Sequence, residues 1–239
     1  MFLGHYALGL AGKKAAPELS LGALFFATQF ADLLWPTLVL AGVEKLEIRP
    51  GTTAVNPLDF VDYPWSHSLL ALGVWGLLVA LGYVAVRALR GGRARALAAA
   101  TLGGLVVSHW LLDFASHRPD MPLAFGSSPK LGLGLWGSLP ATVAVELALL
   151  AAGVVLYLRA TVARDRTGEW AFWGLVVFLL VIHFASLFGP PPPSARAVAL
   201  SAEALWLTVF WGVWIDRHRA PRAAPEGGRE PAANRPMAA

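Results

Sequence analysis

Six stretches of this chain are apolar over enough residues to cross the hydrocarbon core of a bilayer, which takes roughly 20 residues at about 1.5 Å of helical rise each. They fall near residues 19–41, 67–89, 96–116, 133–158, 170–188 and 195–215. The segments between them are charged, polar or proline-bearing, including the Arg87 to Arg95 cluster and the run of four prolines from Pro190 to Pro193. Only helices and closed barrels satisfy their backbone in lipid, and apolar runs of this length are the helical signature. The fold predicted is therefore an all-α polytopic bundle of about six transmembrane helices, one domain over residues 1–216, with a short N-terminal helix or re-entrant segment. Composition agrees: 14% of residues are charged and the mean hydropathy is +0.58, against about 25% charged in soluble domains. From Asp216 onward Arg, Pro, Ala and Gly dominate without periodicity, so residues 217–239 read as a disordered cytoplasmic tail.

The net charge of +4 does not point to nucleic acid, because the basic residues sit in short clusters between apolar runs. They set topology instead: fourteen Lys and Arg fall on one side of a six-span arrangement and five, Lys45, Arg49, Arg118, Lys130 and Arg196, on the other. The richer side is expected to be cytoplasmic, with both termini inside. Cysteine is absent, so any metal must be held by nitrogen and oxygen.

Ionisable residues inside a span are costly and need a partner or a purpose. Asp32 in the first span and His109 in the third lie at similar depth, just beyond the midplane from the cytoplasmic side. His109, Asp113 and His117 recur every fourth residue, so a helix through them lines all three on one stripe. Imidazole nitrogen and carboxylate oxygen on successive turns suit a divalent ion, Zn²⁺ first and Mn²⁺ as the alternative, with further ligands from another helix. His67 opens the second span. Simple pairing of His109 with Asp113 is the competing explanation, and Pro119 is expected to end the helix near His117. His5 belongs to a segment too short to span; as a re-entrant half-helix leading to Lys13 it would reach about 12 Å into the membrane, and as an interfacial helix it would lie among headgroups. Glu146 and His183 could line a pocket joined to the site or make ordinary interhelical hydrogen bonds; for Glu203 the latter is expected. The loop over residues 42–66 can cover the outer end; its Glu44, Glu47, Asp59 and Asp62 either keep it in water or, through Asp62, lend the site a carboxylate.

Gly4-His5, Asp32 ahead of Pro36, Ser66-His67-Ser68, and Ser108-His109 with Asp113 four residues on resemble, in order, the motifs of the predicted membrane-bound metal-dependent hydrolases similar to the SOS-induced inner-membrane protein of enteric bacteria. The likeness covers the chain to about Leu123. It departs where the family often has two acids in the first helix (here Asp32 is followed by Leu33 and Leu34) and a further His at the position of Asp62. The resemblance implies a bacterial inner-membrane hydrolase. In that reading His5, Asp32, His67, His109, Asp113 and His117 hold the metal, Asp62 or Asp120 takes a proton from the attacking water, and Ser68 or Ser108 orients it. A site between spans near the outer leaflet is reached from the bilayer, so a lipid or lipid-linked ester or phosphoester is the expected substrate. The alternative is a non-enzymatic membrane protein: a transporter or ion path, or a scaffold with a structural metal.

Overall fold

The computed structural model describes residues 1–222. It is an all-helical bundle carrying three small two-stranded ribbons, and the chain is a multi-pass membrane protein. Five helices are long and apolar enough to span alone: α5 (Leu69–Leu89), α6 (Ala96–Ser116), α7 (Leu139–Ala160), α8 (Arg166–Phe188), and the composite of α9 (Ala195–Ala202) and α10 (Trp206–His218). The remaining span is broken. Helices α2 (Leu21–Thr28) and α3 (Phe30–Leu40) meet at Gln29 with a bend of 56°. Pro36 inside α3 cannot donate to the carbonyl of Asp32 and crowds it.

Local chemistry sets the boundaries that differ from expectation. Ser68 is in extended backbone and caps α5, its hydroxyl accepting from Ala71 N at 3.1 Å. His67 therefore ends the short helix α4 (Pro64–His67) instead of opening the span. Ser138 caps α7, with a proline in its first turn, so residues 133–138 stay outside that helix. Asp165 caps α8 by accepting from Gly168 N at 2.9 Å.

The N-terminal segment is a helix, α1 (Phe2–Ala15), and it lies within the bundle. Leu3, Gly4, His5, Tyr6 and Ala7, five successive residues that between them cover every face of the helix, are all buried, as are Leu10 and Lys13. That excludes the interfacial alternative, which needs one wet face. Fourteen residues give about 21 Å of rise, short of a full crossing, so α1 is an inserted half-span. Its closest approach is to α7: a Cβ on Gly153 would lie 2.6 Å from the Ala7 carbonyl oxygen, a separation only glycine permits. Leu3, Tyr6 and Leu10 join Leu150, Tyr157, Phe172 and Leu175 in one core, while Leu102, Val106 and Trp110 of α6 join Leu24, Leu72 and Met121 in another. On the outside, Leu70, Val74, Leu77, Leu78 and Leu81 of α5 are half exposed or more, the face an apolar solvent would cover.

At the basic end, buried Lys13 donates to Leu19 O at 2.6 Å and pairs with Asp216 at 3.1 Å, and Asp216 accepts from Leu21 N. Strand β6 (Arg219–Pro221) pairs with β5 (Thr161–Ala163). The expected loose tail from residue 217 is thus corrected: α10 runs to His218, His218 meets Asp165 at 2.8 Å, and folding continues to Pro221. Residues 223–239 of that tail lie outside the described residues. At the opposite end, β1 (Lys45–Ile48) pairs with β2 (Leu58–Asp62), and β3 (Met121–Pro122) with β4 (Lys130–Leu131).

Candidate metal centre

Helix α6 continues through His109 and Asp113, and their spacing of one turn brings His109 Nε2 to 3.1 Å from Asp113 Oδ2. Three other elements deliver ligand-type atoms to the same place. Asp32, on α3 just past the break, has Oδ1 3.5 Å from His67 Nε2 and 3.8 Å from His109 Nε2. His67, at the end of α4, is also 3.8 Å from Asp113 Oδ2. His5 on α1 stacks its ring on that of His109 at 3.7 Å and places Nε2 3.1 Å from Asp113 Oδ1. Two overlapping triads result, His5–His109–Asp113 and Asp32–His67–His109, each with its atoms within 4.8 Å of one another. Bonds of 2.0–2.2 Å in a tetrahedral site set ligand atoms about 3.3 Å apart, the middle of the observed range. His109 is common to both triads, and Asp113 turns one oxygen toward His5 and the other toward His109 and His67.

The imidazoles are also held in the protonation form that a metal needs. His109 Nδ1 donates to the Thr28 carbonyl at 2.8 Å, the carbonyl that ends α2 at the break. His67 Nδ1 donates to Ser66 Oγ at 2.7 Å, and that hydroxyl donates onward to Glu44 Oε2 at 2.6 Å. His117 Nδ1 donates to Asp120 Oδ1 at 2.9 Å. Each contact puts the proton on Nδ1 and leaves the Nε2 lone pair facing inward, the usual support of a metal-ligating histidine. His109 Nε2 is buried and faces two carboxylate oxygens, Asp113 Oδ2 at 3.1 Å and Asp32 Oδ1 at 3.8 Å, where a cation would sit between them. The α-ammonium of Met1 donates to Asp113 Oδ1 and lies 3.3 Å from His5 Nε2, so positive charge already rests against this carboxylate. Nitrogen and oxygen donors in this mix could hold a metal ion.

Other expected residues stand further back. α6 ends at Ser116 and His117 is its cap; its Nε2 is 4.0 Å from Asp113 Oδ2, outside both triads. Asp120 supports His117 from behind and accepts from Arg118 Nε at 3.1 Å. Burial acts to raise its carboxyl, but the His117 hydrogen bond and the guanidinium outweigh that and hold it below its ordinary value. Asp62 is exposed at the end of β2, so the carboxylate expected from the loop is not delivered by it. The Ser68 hydroxyl is occupied in capping α5, and Ser108 Oγ bonds back to Leu105 O at 2.7 Å; neither is placed to orient a water. Arg118 binds Asp59 as well as Asp120.

Two contributors went unread in the sequence. Glu44, expected to keep its loop in water, is buried and accepts from Ser66 N at 2.9 Å as well as from its hydroxyl; burial pushes its carboxyl up. Tyr63 donates to Asp120 Oδ1 at 3.2 Å. Its place four residues before His67 was the available signal.

Asp32, His67, Asp113 and His117 form the polar floor of a cavity of about 240 Å³. Trp35, Leu58, Phe60, Leu187 and Leu205 make apolar walls, and Glu146 and His183 line it too. Those two are therefore part of the cavity that contains the cluster. Glu203 instead accepts from Thr37 Oγ1 at 2.8 Å, an ordinary interhelical bond. Comparison of the chain with known protein families, with curated proteins and with solved structures finds no match in any of the three.

Proposed function

We propose that the chain is a membrane-embedded metal-dependent hydrolase acting on an ester or phosphoester of a lipid or lipid-linked molecule, with its cavity toward the non-cytoplasmic leaflet. The observation that carries this reading is the place of the cluster: its ligand-type atoms floor an apolar-walled cavity. A structural metal closes its coordination with protein, whereas a catalytic one keeps a position for water or substrate. A cavity of this volume is at the small end of ligand sites and suits a scissile group with the adjoining part of a chain.

Asp32, His67, His109 and Asp113 would hold the ion, with His5 completing the shell on the α1 side. A bound Zn²⁺ or Mn²⁺ supplies a polarised carbonyl or phosphoryl oxygen and a water acidified to about neutral pKa. Among the carboxylates, the side chain of Asp32 is 30% exposed and that of Asp113 3%, so Asp32 is the one open to take a proton from an entering water. Trp35 and Phe60 exclude bulk water from the floor. Asp120 keeps a supporting role through His117.

The test is elemental analysis of purified protein beside His109→Ala and Asp113→Ala, followed by turnover of p-nitrophenyl esters and phosphodiesters with short and long chains. Metal in the wild type, its loss in both variants, and metal-dependent turnover are expected. Full occupancy in both variants overturns the ligand assignment. Bound metal without turnover on any probe favours the competing reading, a scaffold whose ion is closed by Asp32, His67, His109 and Asp113.

A further inference from the structure

The cavity has a second ionisable wall that metal binding does not use. His183 on α8 is 2% exposed and lines the cavity, and its Nε2 has no hydrogen-bond partner. Behind it, Nδ1 lies 3.9 Å from Glu146 Oε2, and Glu146 on α7 is equally buried. The same carboxylate oxygen accepts from Leu3 N at 2.6 Å, which fixes it at the start of α1. The Phe2 ring lies parallel to the imidazole at 6.3 Å. A buried nitrogen without a partner is costly unless something meets it.

We propose that His183 is the proton donor to the leaving group, with Glu146, the carboxylate behind its Nδ1, as its positioning residue. The inference rests on the hydrolase reading above and adds the class of bond: a carboxylic ester whose alcohol is a poor leaving group. Water adds to the acyl carbon from the floor and gives a proton to Asp32. The acyl carbon to alkyl oxygen bond breaks, and the proton on His183 Nε2 passes to that oxygen, releasing alcohol and acid. The proton on Asp32 then restores His183 through water. A short aliphatic alcohol cannot leave as alkoxide in an apolar cavity, whereas p-nitrophenolate needs no proton, so the two leaving groups separate the role.

The experiment compares wild type, His183→Ala and Glu146→Gln, each loaded with zinc, on an acyl p-nitrophenyl ester and on the ethyl ester of the same acid. Metal content and Tm are recorded for all three. Positioned acids are worth about 10²–10⁴-fold, so His183→Ala should lose about 100-fold or more on the ethyl ester and under about 10-fold on the p-nitrophenyl ester, with full metal content. Glu146→Gln should show the same selectivity in weaker form. Equal losses on both esters overturn the proposal and leave the hydrolase reading in place. No turnover by loaded wild type on either ester overturns the proposal, and the hydrolase reading falls with it only if the phosphodiester probes are not turned over either. A readout independent of turnover is ethoxycarbonylation of metal-free protein by diethyl pyrocarbonate across a pH series, mapped by mass spectrometry: His183 should become modified as its ring loses its proton, and protection at every pH would overturn the proposal.

Discussion

Replacing Ser66 with alanine tests whether the groups behind the cluster matter as the geometry requires. Ser66 is fully buried, and its hydroxyl alone joins His67 Nδ1, at 2.7 Å, to Glu44 Oε2, at 2.6 Å. Without it, Nδ1–H has no acceptor, and the neutral ring is free to move its proton to Nε2, where no metal can bind. Loss of such an outer partner typically weakens metal affinity 10–100-fold, or about 1.4–2.7 kcal/mol. Ser68, two residues on, is the internal control: equally buried, it only caps α5 through Ala71 N. Ser68→Ala should cost about 1 kcal/mol of stability and leave zinc affinity unchanged. The assay is competition for zinc against a fluorescent chelator, with Tm measured on the same samples in detergent. Indistinguishable zinc affinities in Ser66→Ala, Ser68→Ala and wild type would refute the assignment of His67 as a supported ligand.

Three further outcomes are expected. Gly153→Ala pushes a Cβ to within 2.6 Å of the Ala7 carbonyl oxygen; overpacking of this kind costs about 1–3 kcal/mol, and because α1 carries His5, zinc affinity should fall with Tm, while Gly104→Ala, whose Cβ meets nothing within 4 Å, should change neither. Stripping metal with a chelator should lower Tm, since ligand at a thousand times its Kd stabilises by about 4 kcal/mol; a Tm indifferent to chelator and to added zinc would count against a bound ion. The chain has no cysteine, so single cysteines report topology without background: in intact cells a membrane-impermeant maleimide should label Ser127→Cys and not Ala94→Cys, and the reverse pattern would invert the proposed orientation.

The bundle was legible because its signal is long and redundant. Six apolar runs, separated by charge and proline, have few other ways to satisfy their backbone in lipid. α6 was read to the residue, since Pro119 bars helix beyond the cap at His117. The break at Gln29 was not, because the hydropathy of residues 19–41 is continuous across it; a helix interruption inside an apolar run carries little compositional mark. The burial of α1 escaped for a related reason. Fourteen residues with two lysines at the end fit an interfacial helix and an inserted one equally well, and what separates them is Gly153, contributed from more than 130 residues away.

Within the site, the line between what was read and what was missed follows the kind of atom involved. His109 and Asp113 announce themselves by spacing, and Asp32, His67 and His5 by being ionisable where ionisation is expensive. The groups that orient them are a main-chain carbonyl at Thr28, a serine hydroxyl at Ser66, and a loop acid, Glu44, that looks like an ordinary loop charge in sequence. None has a pattern of its own, because each acts through a partner distant in the chain or through backbone geometry. The same logic divides the cavity. Its floor combines four elements whose ionisable side chains compensate one another, Asp113 alone touching His5, His109 and the Met1 ammonium. Its wall carries His183 with one carboxylate behind Nδ1 and a buried, unpaired Nε2. Interhelical pairing leaves that nitrogen without a partner, and a substrate oxygen seated beside it would supply one.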